Sequence, residues 1–257
     1  MLIKQAFEKL QGELPAAEKI ERVCVYGGAS DGNWNGYEDA ARRLGEVIGQ
    51  AGLDVVYGGG RTGMMGAMAD GALSKDSHVI GVIPNFLDKV EVGHRDVTDL
   101  RLVPDMHTRK RMMFDLAQAI VAMPGGFGTM EEIFEVITWK QLGRHNKPII
   151  FFDTERDYWQ PMMALIDHLE DEGFLHSRLH NLYVSVREPE ELLDALEAQL
   201  QPIQSNADAT THGSRATQSV GKGVWSLGRS HASHSTRIMT WALGAPLPHD
   251  RALSRVD

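Results

Sequence analysis

The segment Pro124-Gly125-Gly126-Phe127-Gly128-Thr129-Met130-Glu131-Glu132 sets three glycines between an apolar run and two adjacent carboxylates. Glycines let a backbone approach an anion closely. A helix starting just behind them would aim unpaired N–H groups and the positive end of its dipole at that anion. The spacing predicts Thr129 as the N-cap, with Glu132 three residues later completing a capping box. A phosphate would then rest against Gly126, Gly128 and Thr129. Two readings of Glu131 and Glu132 stay open at this point. Both stabilise the helix start, by about 0.3–1 kcal/mol each, or one of them faces the ligand as a carboxylate for acid/base work or cation stabilisation.

Two other glycine turns follow apolar runs. Tyr26-Gly27-Gly28-Ala29-Ser30 offers a close approach and one hydroxyl donor. In Tyr57-Gly58-Gly59-Gly60-Arg61-Thr62-Gly63, residues Gly58, Gly60 and Gly63 fit G-x-G-x-x-G. A NAD site would also need an acid at the end of the next strand. That strand, His78–Pro84, ends without one, so the loop suits a phosphate or ribose instead. Arg109 carries a permanent charge and a planar donor fork, which suits a phosphate or a carboxylate to be oriented. Lys110 adjoins it, but neighbouring helical residues point about 100° apart, so both cannot face one ligand equally. No metal is expected: there is no H-E-x-x-H motif, and His107, His145, His168, His176 and His180 are scattered.

Something must hold these turns together. Apolar runs at Val23–Tyr26, Val55–Tyr57, Val79–Ile83, Ile120–Met123 and Ile149–Phe152, with weaker ones at Leu100–Val103 and Leu182–Val186, are continuous and not alternating. That is the pattern of strands buried on both faces. Helices are expected near 36–50, 62–74, 106–118, 129–143, 157–172 and 188–200. Strand–helix repetition implies a Rossmann-like, doubly wound α/β fold with a mainly parallel sheet. Ligands of such sheets bind at the carboxyl ends of the strands, so the three turns are expected to converge. The expected organisation is a helical extension over 1–19, with an amphipathic helix near 2–11, one nucleotide-binding domain over 20–202, and a disordered tail over 203–257. The tail is rich in Ser, Thr, His and Gly, and one lysine and five arginines there face three aspartates.

Composition narrows the partners. Hydrophobic residues are 42% of the 257, enough for a sizeable core, and the formal net charge is −9. A negative field disfavours a nucleic-acid surface but leaves room for local capture of one phosphate. Cys24 is the sole cysteine. It excludes an internal disulfide and fits a small buried hydrophobe. No signal-peptide core and no membrane-length apolar run occur, so the expectation is a soluble, cytoplasmic protein.

The motifs resemble those of the LOG family, the cytokinin-activating phosphoribohydrolases once labelled possible lysine decarboxylases. Pro124, Gly125, Gly126, Gly128, Thr129 and Glu132 match its P-G-G-x-G-T-x-x-E, and Met106-His107-Thr108-Arg109-Lys110 matches M-x-x-R-K. The stretches Tyr57–Gly66, Val79–Pro84 and Val136-Ile137-Thr138-Trp139 are similar too, over about residues 20–200. One departure is Gly27-Gly28-Ala29-Ser30, where the family often has a Cys-Gly-Ser-Ser type turn. The resemblance implies hydrolysis of a nucleoside 5′-monophosphate, AMP or an N6-modified AMP, to free base and ribose 5-phosphate, without cofactor. It implies Arg109 and Glu132 as the catalytic pair, Glu132 stabilising the sugar cation with Glu131 in reserve. The expected substrate contacts are Gly28, Ser30, Gly59, Gly60, Glu91, Lys110, Gly125, Gly126, Phe127, Gly128, Thr129, Glu131 and Thr138. It also implies a homodimer, with the helix bearing Ile133, Phe134, Ile137 and Trp139 offering an interface stripe. The alternative is a carrier of the same fold that holds a nucleotide or molybdenum cofactor without turning it over. A pyridoxal-phosphate decarboxylase would need a Schiff-base lysine, and Lys110 is the one lysine in a ligand-facing motif.

Overall fold

The computed structural model describes residues 19–89, 93–175 and 182–200. The expected N-terminal helix, the tail and Glu91 lie outside these residues. Seven strands form one parallel sheet: β1 (Arg22–Tyr26), β2 (Asp54–Tyr57), β3 (Val79–Pro84), β4 (Asp99–Val103), β5 (Ala119–Ala122), β6 (Ile149–Phe152) and β7 (Val184–Val186). Their order across the sheet is β4-β3-β2-β1-β5-β6-β7. The chain therefore winds outward from β1 in one direction and then from β5 in the other. The crevice at this reversal, outside the carboxyl ends of β1 and β5, is where doubly wound sheets take ligands.

Both faces of the sheet are covered over β1, β2, β3, β5 and β6, which is why those strands read as unbroken apolar runs, while the edge strands β4 and β7 are partly exposed. Val23, Val25, Val55, Tyr57 and Val121 pack beneath α1 (Gly36–Gln50), α2 (Gly63–Leu73) and α6 (Leu192–Leu200). Cys24, Tyr26, Val56, Ile120 and Ala122 pack beneath α3 (Met106–Leu116), α4 (Phe127–Gln141) and α5 (Gln160–Asp171). Helices α1 and α2 cross closely because small residues meet there. A Cβ on Gly45 would lie 2.0 Å from the Met68 carbonyl oxygen, and one on Gly71 2.0 Å from that of Arg42. Cys24 is fully buried, and burial first, then the charge of Glu132, pushes its thiol pKa far up. It is a core residue. The stripe expected on α4 is largely used by the fold itself: Ile133 and Ile137 face the sheet core, and Trp139 packs edge-on against Phe114 at 5.0 Å.

His145 closes the loop from α4 into β6. Its Nε2 lies 2.9 Å from the Val136 carbonyl, and its Nδ1 accepts from the Lys147 N–H at 3.1 Å. Only a neutral ring with its proton on Nε2 meets both partners. Burial is the main cause of a pKa lowered from 6.5 to about 4. Between these values the unfolded chain binds a proton that the folded chain refuses, so stability falls as pH drops from 6.5 and levels off below 4. The expected loss is up to about 3 kcal/mol. Chemical denaturation across pH 4–7 should show this slope in the wild type and a markedly shallower one in His145→Gln.

Candidate active site

The three glycine turns meet at the reversal crevice, and hydrogen bonds stitch them together. The Gly28 N–H donates to the Pro124 carbonyl at 3.0 Å, and the Met65 N–H to the Gly28 carbonyl at 3.1 Å. The Thr62 hydroxyl donates to the Ala29 carbonyl at 3.0 Å. Between them lies a cavity of about 440 Å³, the size class of nucleotide-scale ligand sites. Gly28, Ser30, Gly125, Gly126, Gly128 and Thr129 line it, with Arg109 and Glu132. Much of the remaining wall is Met64, Met65, Met106, Met113, Tyr37 and Tyr158.

Helix α4 begins earlier than its sequence predicts. Gly126, in extended backbone, is its N-cap, and no side chain caps it. The capping box of Thr129 and Glu132 is therefore absent, and both glutamates sit past the first turn. The glycines explain the difference. Gly126 and Gly128 have open space around them, so the chain can enter the helix at Phe127 with no cap side chain, and Thr129 turns inward instead. A Cβ on Gly125 would lie 2.1 Å from the Thr129 hydroxyl oxygen. Met130 is the residue whose N–H reaches the Gly126 carbonyl, which leaves the amides before it as the helix's unpaired donors. Gly128 and Glu132 are four residues apart, so they share one helix face about 6 Å apart along the axis. An anion seat and a carboxylate are thus set one turn apart on the same wall.

Arg109 is buried to 6% exposure and Glu132 to 7%. Asp105 starts α3 by accepting the Thr108 N–H at 2.8 Å, and this fixes the turn that carries the arginine. Arg109 Nε donates to the Val82 carbonyl at 3.1 Å and Nη2 to the Gly58 carbonyl at 2.8 Å. Two edges of the fork are spent on backbone, and Nη1 lies on the side of the cavity-lining Met106 sulfur. The guanidinium is preset as a donor of fixed direction, not a flexible clamp.

Several expected contacts lie off the cavity wall. Lys110 is buried and pairs with Glu131 and, at 3.2 Å, with Glu135. Burial pulls its pKa down, but its two glutamate partners outweigh that and the net shift is upward. Lys110 and Glu131 thus bind α3 to α4. The two glutamates are thus placed differently: Glu131 pairs with Lys110, and Glu132 lines the cavity. Gly59, at φ +77°, backs onto Val82 and Ile83 and accepts the His94 N–H at 2.9 Å, while Gly60 bridges to Gly93. Phe127 points outward at 96% exposure. Thr138 donates to its own helix at the Phe134 carbonyl. Sequence reasoning missed Tyr37 and Tyr158. The turn after β6 must open at the same sheet edge as the other three, which was the available signal for Tyr158. Among the described residues no group of three metal-binding side chains occurs, and no helix is long and apolar enough to cross a membrane.

A family profile described as "Possible lysine decarboxylase" matches residues 65–196. The chain is 41% identical over 179 residues to the cytokinin riboside 5′-monophosphate phosphoribohydrolase LOG1 of Arabidopsis thaliana, covering 70% of this chain and 84% of that protein. It is 39% identical over 189 residues to LOG3 of the same plant, covering 74% and 87%. The solved molybdenum cofactor binding protein of Rippkaea orientalis superposes with a TM-score of 0.53 at 18% identity, over 70% of this chain and 96% of that one. At that identity the likeness speaks for the fold alone.

The Arg109 seat yields a test. A Cβ on Gly58 would lie 2.1 Å from Arg109 Nη2, the movable end of a side chain. Gly58→Ala should therefore keep the fold but push the buried guanidinium off its carbonyl partners, lowering the melting temperature by several degrees. The Arg109 Nε–H signal, followed by NMR, should shift, and chemistry that relies on this group should slow by about 100-fold.

Proposed function

We infer the reaction from one premise: the chain belongs to the LOG family, the cytokinin riboside 5′-monophosphate phosphoribohydrolases. It is a hydrolase of N-glycosyl bonds, acting on a nucleoside 5′-monophosphate. Water adds to the anomeric carbon, the bond from that carbon to the base nitrogen breaks, and the base leaves with a proton. The products are free base and ribose 5-phosphate. The observation that carries the residue assignment is the single cavity wall holding the α4 amides, Glu132 and Arg109 together.

In this reading the 5′-phosphate sits on the amides of Gly126, Gly128 and Thr129. Cleavage builds positive charge on the sugar ring, and a carboxylate beside the anomeric carbon stabilises it or activates the water. Glu132 is one helical turn from the phosphate seat, the order of distance a sugar ring spans. Arg109, braced by two carbonyls, orients the substrate with its remaining edge. The methionine-rich wall suits a base bearing an apolar substituent, so an N6-prenylated AMP belongs beside AMP as a substrate. Lys110 does not serve a Schiff base here. It is held as a cation between two glutamates, whereas imine formation needs a neutral amine. We propose a cytoplasmic homodimer, and the exposed Phe127 and Leu142 at the two ends of α4 support the dimer.

Release of base from AMP and from N6-prenylated AMP, followed by chromatography, tests the reading. Glu132→Gln and Arg109→Ala should each lower kcat by about 100-fold or more, with KM for AMP within a few-fold of wild type. Equal rates in wild type and both variants would remove these residues from the mechanism. The phosphate seat has its own check. A Cβ on Gly126 meets nothing within 4 Å in the ligand-free protein, so Gly126→Ala should fold with a loss of no more than about 1 kcal/mol, that of alanine at an N-cap. It should raise KM for AMP by about tenfold, because the added methyl stands where the phosphate approaches.

A further inference from the structure

The loop that carries the phosphate seat has a hydrogen-bonding partner on each of its first two carbonyls. The Pro124 carbonyl accepts the Gly28 N–H at 3.0 Å, and the Gly125 carbonyl accepts the Tyr158 hydroxyl. A peptide unit is planar and, here, trans throughout. Its C=O and N–H therefore point in opposite directions. A partner that fixes the Gly125 carbonyl also fixes the Gly126 N–H, on the far side of the same plane. Otherwise the plane is held only from its two sides, through the Pro124 carbonyl before it and the Gly126 carbonyl, which accepts the Met130 N–H, after it. Gly125 and Gly126 lack side chains, and glycine reaches several backbone conformations at little cost.

Tyr158 is itself held firmly. Its own N–H donates to Asp153 Oδ1 at 2.7 Å, an oxygen that also accepts the Thr154 N–H at 2.8 Å. Its ring stands edge-on to Trp159 at 5.1 Å and to Tyr37 at 6.4 Å. Trp159 is buried at 1% exposure, and its indole N–H donates to the Phe152 carbonyl at 3.1 Å. The end of β6 is thus built to bring one hydroxyl to one carbonyl of a neighbouring loop.

We propose that Tyr158 is a positioning residue for nucleotide binding, its hydroxyl orienting the Gly125–Gly126 peptide plane so that the Gly126 N–H faces the 5′-phosphate. This rests on the placement of the phosphate described above, but its test does not require turnover. The hydroxyl acts before the ligand arrives, and it acts on ground-state binding of the phosphate more than on bond cleavage.

The test uses the full chain and Tyr158→Phe, which removes one oxygen atom. The Kd of ribose 5-phosphate by calorimetry and the KM for AMP should both rise by about tenfold, the loss expected when one hydrogen bond to a charged group is misaligned. The kcat should stay within about threefold, and the Ki of adenosine, which has no phosphate, should be unchanged. The Gly126 amide resonance of the ligand-free variant should shift or broaden. Unchanged Kd and KM would overturn the proposal. A weakened Kd with an unmoved Gly126 amide would overturn it in favour of direct contact between hydroxyl and ligand. Failure of ribose 5-phosphate to bind the wild type would overturn it as well. If wild type binds ribose 5-phosphate yet frees no base from any nucleotide, the hydrolase reading fails alone, and the calorimetric and NMR arms still decide the role of Tyr158.

Discussion

The site depends on how closely two loops can approach where the sheet reverses. Gly28 and Pro124 share a hydrogen bond of 3.0 Å across the gap between the ends of β1 and β5, and a side chain on Gly125 would prevent it while one on Gly28 would crowd it. A Cβ on Gly28 would come within 3.3 Å of Gly125 Cα, and one on Gly125 within 2.8 Å of the Gly28 nitrogen. A parallel sheet delivers both strand ends to the same edge. Only bare backbone lets the two turns then close on each other while keeping helix amides available to an anion.

Charge placement follows from that closure. The wall brings a carboxylate and a guanidinium into one buried space, where an isolated charge would be costly. Arg109 offsets its own cost by donating to two carbonyls at the ends of β2 and β3. The neighbouring pair has a different task. Lys110 follows Arg109 on α3, Glu131 precedes Glu132 on α4, and these two are ion-paired. Each of these two cavity-lining side chains thus has a chain neighbour that ties the two helices together. The strut sits beside the chemistry without sharing its cavity.

Much of this was legible in the residues. Unbroken apolar runs predicted the strands of a doubly covered parallel sheet, including the weak ones at Leu100–Val103 and Leu182–Val186, and glycine clusters at strand ends predicted the crevice. What spacing could not show was side-chain direction near a helix start. Thr129 reads as a cap because caps are usually Ser, Thr, Asp or Asn. In the fold the cap falls three residues earlier, at Gly126, and that shift alone reassigns Thr129, Glu131 and Glu132. Gly59 and Gly60 lie in a loop that fits a phosphate-loop pattern, yet Gly59 backs onto Val82 and Ile83 and Gly60 bridges to Gly93. Tyr158 escaped because it lies outside every glycine motif. Its role comes from topology, which sets the end of β6 beside that of β5.

The arrangement also bears on why such an enzyme would insist on the 5′-phosphate, a group remote from the bond that breaks. Binding energy at a non-reacting group can be used to hold the reacting centre in place. Here the phosphate seat and the carboxylate belong to one rigid element, α4, and are one turn apart. In the proposed placement, a phosphate fixed at the helix start sets the anomeric carbon relative to Glu132 with no loop motion between them. A nucleoside without the phosphate could still enter the methionine-lined part of the cavity, but its sugar would lack that register. Discrimination between nucleotide and nucleoside should then show in the rate of bond cleavage as well as in binding. It follows from building the anchor and the carboxylate on the same helix.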